Sequence, residues 1–295
     1  MRSISQSYDP NHASFTGLGF HAMNHAPHLT FLHANGYPSG VYRQFFDALG
    51  KHAVVRAPAL LDSAFDCPPH KRWPTMLDKA LLAVNKLDSN SSGKVRHVLV
   101  GHSMGGYLAL QVAARHPDLI SDVVLIESPI PTGWRSRVLT FSQLTGLAYR
   151  AGPAPIAARR RDTWPSRAAA KAFFAGKKFV QRWAPGVLDD FIEHAIVATD
   201  NGVTLRVPRD TERDIYANIV HRSARADLHQ LKRSQVCVSF IAGKFSEELR
   251  LAGASDNERL FAPNYVELPH GHLIPLEAPQ VCAAAVLAAL NKTAR

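Results

Sequence analysis

A serine, two histidines and a glutamate, far apart in the chain, have the types and settings that acyl transfer requires. Ser103 lies in Gly101-His102-Ser103-Met104-Gly105, after the apolar run Val98-Leu99-Val100 and before a long amphipathic segment reaching His116. That order predicts a strand, a sharp turn and a helix, with the serine at the apex of the turn. A side chain at either flanking glycine would clash in so tight a turn. The helix start surrounds Ser103 with backbone N–H groups, which stabilise negative charge developing on a substrate. A serine hydroxyl is a poor nucleophile until a base takes its proton, and the base needs an acid to hold its tautomer and its positive charge. His270-Gly271-His272 follow the final strand-like segment. Either histidine could be the base; His272 is favoured because the glycine before it lets a tight loop aim the ring back over the sheet, leaving His270 as a loop residue.

These groups need a scaffold, and the first half of the chain describes one. Strand-like segments at 28–33, 52–57, 95–100 and 123–126 alternate with helical ones at 41–49, 73–87 and after Ser103. Such alternation predicts an α/β fold, a mostly parallel twisted sheet flanked by helices. The rhythm stops after Ser128. Residues 129–234 are rich in arginine and alanine, punctuated by Trp, Pro and Gly, with several helical stretches; Asp200-Asn201-Gly202 suggests a turn, as in a small hairpin. Strand character returns at 235–243 and 265–268, and a helix closes the chain at 278–290. The expected organisation is a catalytic domain of residues 1–128 and 235–295 carrying a mainly helical lid at 129–234.

With these residues in view, the chain resembles the α/β-hydrolases that bear a lid, similar in layout to haloalkane dehalogenases, epoxide hydrolases and related serine esterases. The likeness covers about residues 25–130 and 235–293 and is weakest across the lid. G-H-S-M-G matches the nucleophile elbow, His33-Ala34-Asn35-Gly36 the oxyanion loop, and Gly271-His272 with Glu277 and Pro279 the histidine loop. The resemblance implies an oxyanion hole made by the N–H groups of Asn35 and Met104, although Ala34 and Gly36 replace the glycine and proline of the usual loop. It also implies an aspartate three residues after the glycine that ends the strand at 243, where this chain has the uncharged Ser246. Some dehalogenases instead carry a glutamate after the strand that follows the elbow helix, and Glu127 stands there. An acid ending an apolar strand is costly unless paired, so Glu127 is the expected acid. The other role open to Glu127 is a salt bridge to a lid arginine, and Glu247 and Glu248 are the reserve acids.

Serine where the dehalogenases and epoxide hydrolases carry an aspartate nucleophile selects acyl chemistry over alkyl transfer. The expected activity is that of a carboxylic ester hydrolase, acting on a small-molecule ester, lactone, thioester or activated C–C bond through an acyl-enzyme, with no metal or organic cofactor. An acyltransferase on the same triad, and a binding or receptor protein on a hydrolase scaffold, stay open; the presence of both histidines counts against the receptor.

Composition removes several classes. The 295 residues are 46% hydrophobic, enough for a large core, yet no apolar stretch approaches the roughly 18 residues of a membrane span. The first residues lack the apolar region of a secretory signal, so a cytoplasmic location is the default. Three cysteines without a C-x-x-C indicate neither disulfide framework nor zinc site. His21, His25, His28 and His33 have no carboxylate or thiolate among them to make a metal site. The net charge of +10 sits in one window: residues 134–182 hold eleven basic side chains and the single acid Asp162. That window suits an anionic acyl substrate, an anionic membrane surface, or merely solvated helix faces. No nucleic-acid module accompanies it, and nothing in the pattern specifies an oligomeric state.

Overall fold

Strands covered on both faces are built on largely apolar runs, and three segments fit that pattern. In the computed structural model, which describes residues 26–61, 67–88 and 97–293, β1 (His28–Leu32) is buried but for its first residue. It is followed by α1 (Arg43–Leu49), β2 (Val54–Arg56), α2 (Pro69–Asp88), β3 (His97–His102), α3 (Met104–Arg115) and β4 (Asp122–Ile126). β3 and β4 are buried at every position. The expected start of β3 at residues 95–96, the N-terminal segment, and His21 and His25 lie outside the described residues. The helix expected from residue 73 begins earlier, at Pro69, whose missing N–H costs nothing in a first helical turn.

The chain then runs through α4 (Gly133–Leu144), α5 (Pro153–Arg159), β5 (Thr163–Trp164), α6 (Arg167–Ala175), α7 (Val187–Ala195), β6 (Ile196–Thr199), β7 (Gly202–Leu205), α8 (Arg209–Ala217) and α9 (Ala224–Arg233). It returns to the sheet as β8 (Cys237–Gly243), α10 (Glu247–Ala252), α11 (Ala254–Phe261), β9 (Tyr265–Leu268), α12 (Ile274–Glu277) and α13 (Pro279–Thr293). The sheet order is β2-β1-β3-β4-β8-β9, and every neighbouring pair is parallel. The fold is α/β, with helices on both faces.

Register decides where the site forms. Leu32 pairs with Gly101, Gly101 with Leu125, His102 with Ile126, Ile126 with Ile241, and Gly243 with Leu268. The strands therefore end together, and the residues after each of them emerge along one carboxyl edge. In open parallel sheets this edge is where ligand sites are built.

One apolar core lies on the face carrying α1 and α13, and it continues into the inserted segment through Trp164, Phe174 and Phe191. The other lies on the face of α2 and α3, with Leu108 and Val112 packed near Leu228 and Leu231 of α9. Because α9 packs on α3, it belongs to the layer of helices flanking the sheet. The inserted segment combines helices with a small sheet, which includes the hairpin expected at Asp200-Asn201-Gly202. β5, β7 and β6 form an antiparallel sheet, with Asp200-Asn201 at the hairpin turn and Gly202 passing so close to the Trp164 carbonyl that no side chain fits. Among the described residues, no helix is long and apolar enough to cross a membrane.

Candidate active site

The turn between β3 and α3 holds Ser103 at φ 52°, ψ −115°, a region that non-glycine residues rarely occupy and that costs on the order of 1–3 kcal/mol. Close packing enforces it. A Cβ on Gly101 would come within 2.5 Å of the Gly105 backbone, one on Gly105 would overlap the Leu32 carbonyl, and one on Gly106 would overlap the Ser128 hydroxyl. The five-residue motif thus extends to a third glycine, and the turn abuts the end of β1. The Ser103 N–H donates to the Ile126 carbonyl at 2.9 Å, tying the elbow to β4.

β4 ends one residue later in Glu127, also at positive φ (50°), fully buried and 2.9 Å from Ile241 O through its own N–H. Its carboxylate is saturated with donors. Oε1 accepts the Gly243 N–H at 2.5 Å, while Oε2 accepts the Ser246 hydroxyl at 2.5 Å and His272 Nδ1–H at 2.9 Å. Among the described residues, the ion-pair partner of Glu127 is His272, not an arginine of the inserted segment. Ser246, at the position where the resemblance led us to expect an aspartate, serves Glu127 as a donor and also caps α10 by accepting the Leu249 N–H.

With Nδ1–H committed to Glu127, the other ring nitrogen of His272 is an acceptor, and it stands 3.0 Å from Ser103 Oγ. Burial opposes charge on this ring, but the hydrogen bond from Glu127 and the negative charges of Glu248, Glu127 and Glu277 prevail, raising its pKa above the ordinary histidine value. Ser103 and His272 are both half-buried. His270 points elsewhere: its ring is 3.9 Å from Glu277, and burial lowers its pKa. Glu277 in turn accepts the Gly271 N–H at 2.7 Å and pairs with Arg182 of the inserted segment at 3.2 Å. Of the reserve acids, Glu247 is exposed and bound to Arg250, while Glu248, also exposed, reaches 3.8 Å from His272 Nδ1.

Met104 opens α3, where a helix leaves its first N–H groups without internal partners. Neither its N–H nor that of Asn35 donates to another protein group among the described residues. The side chain of Asn35 is held separately, its amide donating to the Glu212 carbonyl at 3.0 Å. His33, buried, braces the same loop by accepting the Leu61 N–H at 2.7 Å and donating to Ala34 O at 2.8 Å. Gly36 has φ +78°, and a Cβ there would lie 3.2 Å from the Glu212 carboxylate, which accounts for glycine in place of proline.

Two further groups, Tyr42 and His102, connect this loop to His272. The Ala34 N–H donates to the Tyr42 hydroxyl at 3.2 Å, the hydroxyl donates to His102 Nδ1 at 2.8 Å, and His102 Nε2–H donates to the His272 carbonyl at 2.9 Å. Burial, with the nearby His272, pushes the His102 pKa down to about 3, so the ring stays neutral and its tautomer is set by these partners. The signal for His102 was its place beside Ser103; Tyr42 had none. Tyr42→Phe would leave the Ala34 N–H and His102 Nδ1 buried and unpaired, and should destabilise the fold by about 2 kcal/mol or more. A urea titration checks this: an unchanged midpoint would mean that the hydroxyl holds nothing.

Much of the basic window is bound internally. Arg135 pairs with Asp256, Arg160 with the buried Glu212, Lys171 with Asp189, and Arg161 donates to the Thr163 carbonyl.

Among solved structures the chain is similar to a thioesterase domain from the curacin biosynthetic pathway (19% identity, TM-score 0.67, covering 89% of this chain and 91% of that one). It is also similar to an esterase of M. tuberculosis (19%, 0.63, 90% and 86%) and to the enol-lactonase of Burkholderia xenovorans LB400 (18%, 0.57, 91% and 92%). At such identities the likeness establishes the fold. No curated protein matches the sequence. The model of the alpha/beta hydrolase family matches residues 31–285, nearly the whole described sheet and everything inserted into it. Together with the parallel sheet and the elbow, this match means that the chain belongs to the alpha/beta hydrolase family.

Proposed function

We propose that this protein is a serine hydrolase of a carboxylic ester or related acyl bond, with Ser103 as nucleophile, His272 as base and Glu127 as acid. The observation that carries the reading is the continuous chain of contacts from Ser103 Oγ to His272 Nε2 at 3.0 Å and from His272 Nδ1 to Glu127 Oε2 at 2.9 Å. Oγ attacks the acyl carbon as its proton passes to His272. The developing oxyanion is received by the N–H groups of Met104 and Asn35. The leaving group departs with the proton from His272, and water repeats the sequence on the acyl-enzyme, regenerating Ser103. Glu127 keeps the imidazolium oriented and charge-balanced throughout without taking its proton.

The names of the similar structures, a thioesterase, an esterase and an enol-lactonase, describe acyl groups passed to water. That agrees with a serine nucleophile and leaves the acyl class broad. We read residues 129–223 as a lid over this edge of the sheet, ending earlier than the sequence suggests because α9 packs on α3. Arg182, which lies within it, reaches the histidine loop through Glu277.

A fluorophosphonate tests the assignment, since it needs an activated hydroxyl and an oxyanion site but no particular substrate. One adduct per chain is expected, on the peptide containing Ser103, and none in Ser103→Ala. An adduct at another serine, or one surviving in Ser103→Ala, would overturn the reading.

A further inference from the structure

We propose that helix α4 and the turn after it form a docking surface for an anionic phospholipid bilayer. α4 buries none of its residues. Trp134, Val138, Phe141 and Leu144 follow one another at spacings of four, three and three, which places them on one side of the helix, and they are 65%, 56%, 63% and 71% exposed. The surface continues beyond α4. The turn Leu147–Tyr149 packs on both α4 and α5, and it adds Leu147, while α5 adds Ile156, 72% exposed. Six large apolar side chains left in water on three adjoining elements call for a partner.

Charge identifies the partner. No Asp or Glu occurs between Ser128 and Arg161. Arg135 is held by Asp256 and lies over the Trp134 ring at 4.9 Å, and Arg160 and Arg161 are engaged as described above. Arg137, Arg150 and Arg159 are exposed and have no partner among the described residues. A second copy of the chain would set these arginines against one another across a self-complementary interface. An anionic leaflet offers the opposite charge for the arginines, a hydrocarbon layer for Phe141 and Leu144, and an interface suited to Trp134. α4 also leaves the sheet by way of Glu127 to Pro131, from the carboxyl edge that carries Ser103 and His272. Docking needs neither residue, so it stands or falls apart from the proposed chemistry.

The test is co-sedimentation of the full chain with vesicles of phosphatidylcholine alone, or of equal parts phosphatidylcholine and phosphatidylglycerol. Binding is expected only to the anionic vesicles, weakening as salt rises, with a blue shift of tryptophan emission. Reversing Arg137, Arg150 and Arg159 to Glu should weaken binding by at least about a hundredfold. Phe141→Ser with Leu144→Ser should also weaken it, while hydrolysis of a water-soluble ester stays at the wild-type rate, because the five side chains are exposed on the outer face and none of them bonds to Ser103, His272 or Glu127. Absence of binding to anionic vesicles, or equal binding by wild type and both variants, would overturn the proposal. So would a dimer in gel filtration that Phe141→Glu dissociates, since the face would then belong to a second copy.

Discussion

Alanine at Ser103 and alanine at His272 are each expected to lower kcat for a p-nitrophenyl ester by about a millionfold, and the double variant to be no slower than either. In the proposed mechanism the two groups act as one unit. Without the 3.0 Å contact to His272, the Ser103 hydroxyl keeps its proton and is no better than water; without Ser103, the imidazole has no nucleophile to deprotonate. What remains in all three variants is binding and oxyanion stabilisation, which do not depend on either side chain. Because Ser103 is held at positive φ by its neighbours' packing, Ser103→Ala should fold normally and can be purified for substrate binding. Losses that multiply in the double variant would show that the residues act independently. A Ser103→Ala enzyme within tenfold of wild type would remove Ser103 from the chemistry.

Glu127→Gln is expected to cost about ten-thousandfold in kcat, because an amide in place of the carboxylate favours the wrong tautomer of His272 and no longer balances the imidazolium. The acidic limb of kcat/KM should also move. A base works when neutral, and the contacts of His272 raise its pKa, so with His272 as base the wild-type limb is expected above the ordinary histidine value. Removing the Glu127 hydrogen bond and charge leaves burial opposed only by the charges of Glu248 and Glu277, so the pKa falls and the limb should shift to lower pH in the variant. Ser246 makes the experiment decisive. Its hydroxyl is 2.5 Å from Glu127 Oε2, the oxygen that also receives His272. In the wild-type background, Ser246→Asp would press a second carboxylate against a buried one and should lower activity. In the Glu127→Gln background it returns a negative charge close to the ring and should recover at least about tenfold of the loss. The same effect in both backgrounds, or near-normal turnover in Glu127→Gln, would take the acid role from Glu127 and point to Glu248, whose carboxylate is 3.8 Å from His272 Nδ1.

The parallel sheet and the elbow were legible in the sequence because both are local. A buried strand needs a continuous apolar run, and a sharp strand-to-helix turn needs glycines at fixed offsets from its apex. Glu127 stood out through the resemblance and for an energetic reason, as a charge ending an apolar strand that must find a partner. What local pattern could not determine was which long-range pairs form. Gly271 favours His272 over His270 in the sequence, but the ring contacts themselves come from the packed loop, which turns one toward Ser103 and the other toward Glu277. The strand register aligns the ends of β3, β4 and β8, and that alignment puts the Ser246 hydroxyl on the Glu127 carboxylate across a separation of 119 residues. Likewise, the basic window read from the sequence as one block of charge. Tertiary contacts divide it, committing Arg135, Arg160 and Arg182 to carboxylates while leaving Arg137, Arg150 and Arg159 to solvent. Sequence specifies which groups are charged or apolar; burial and pairing depend on which distant segments the fold lays beside them, and that is a property of the tertiary structure alone.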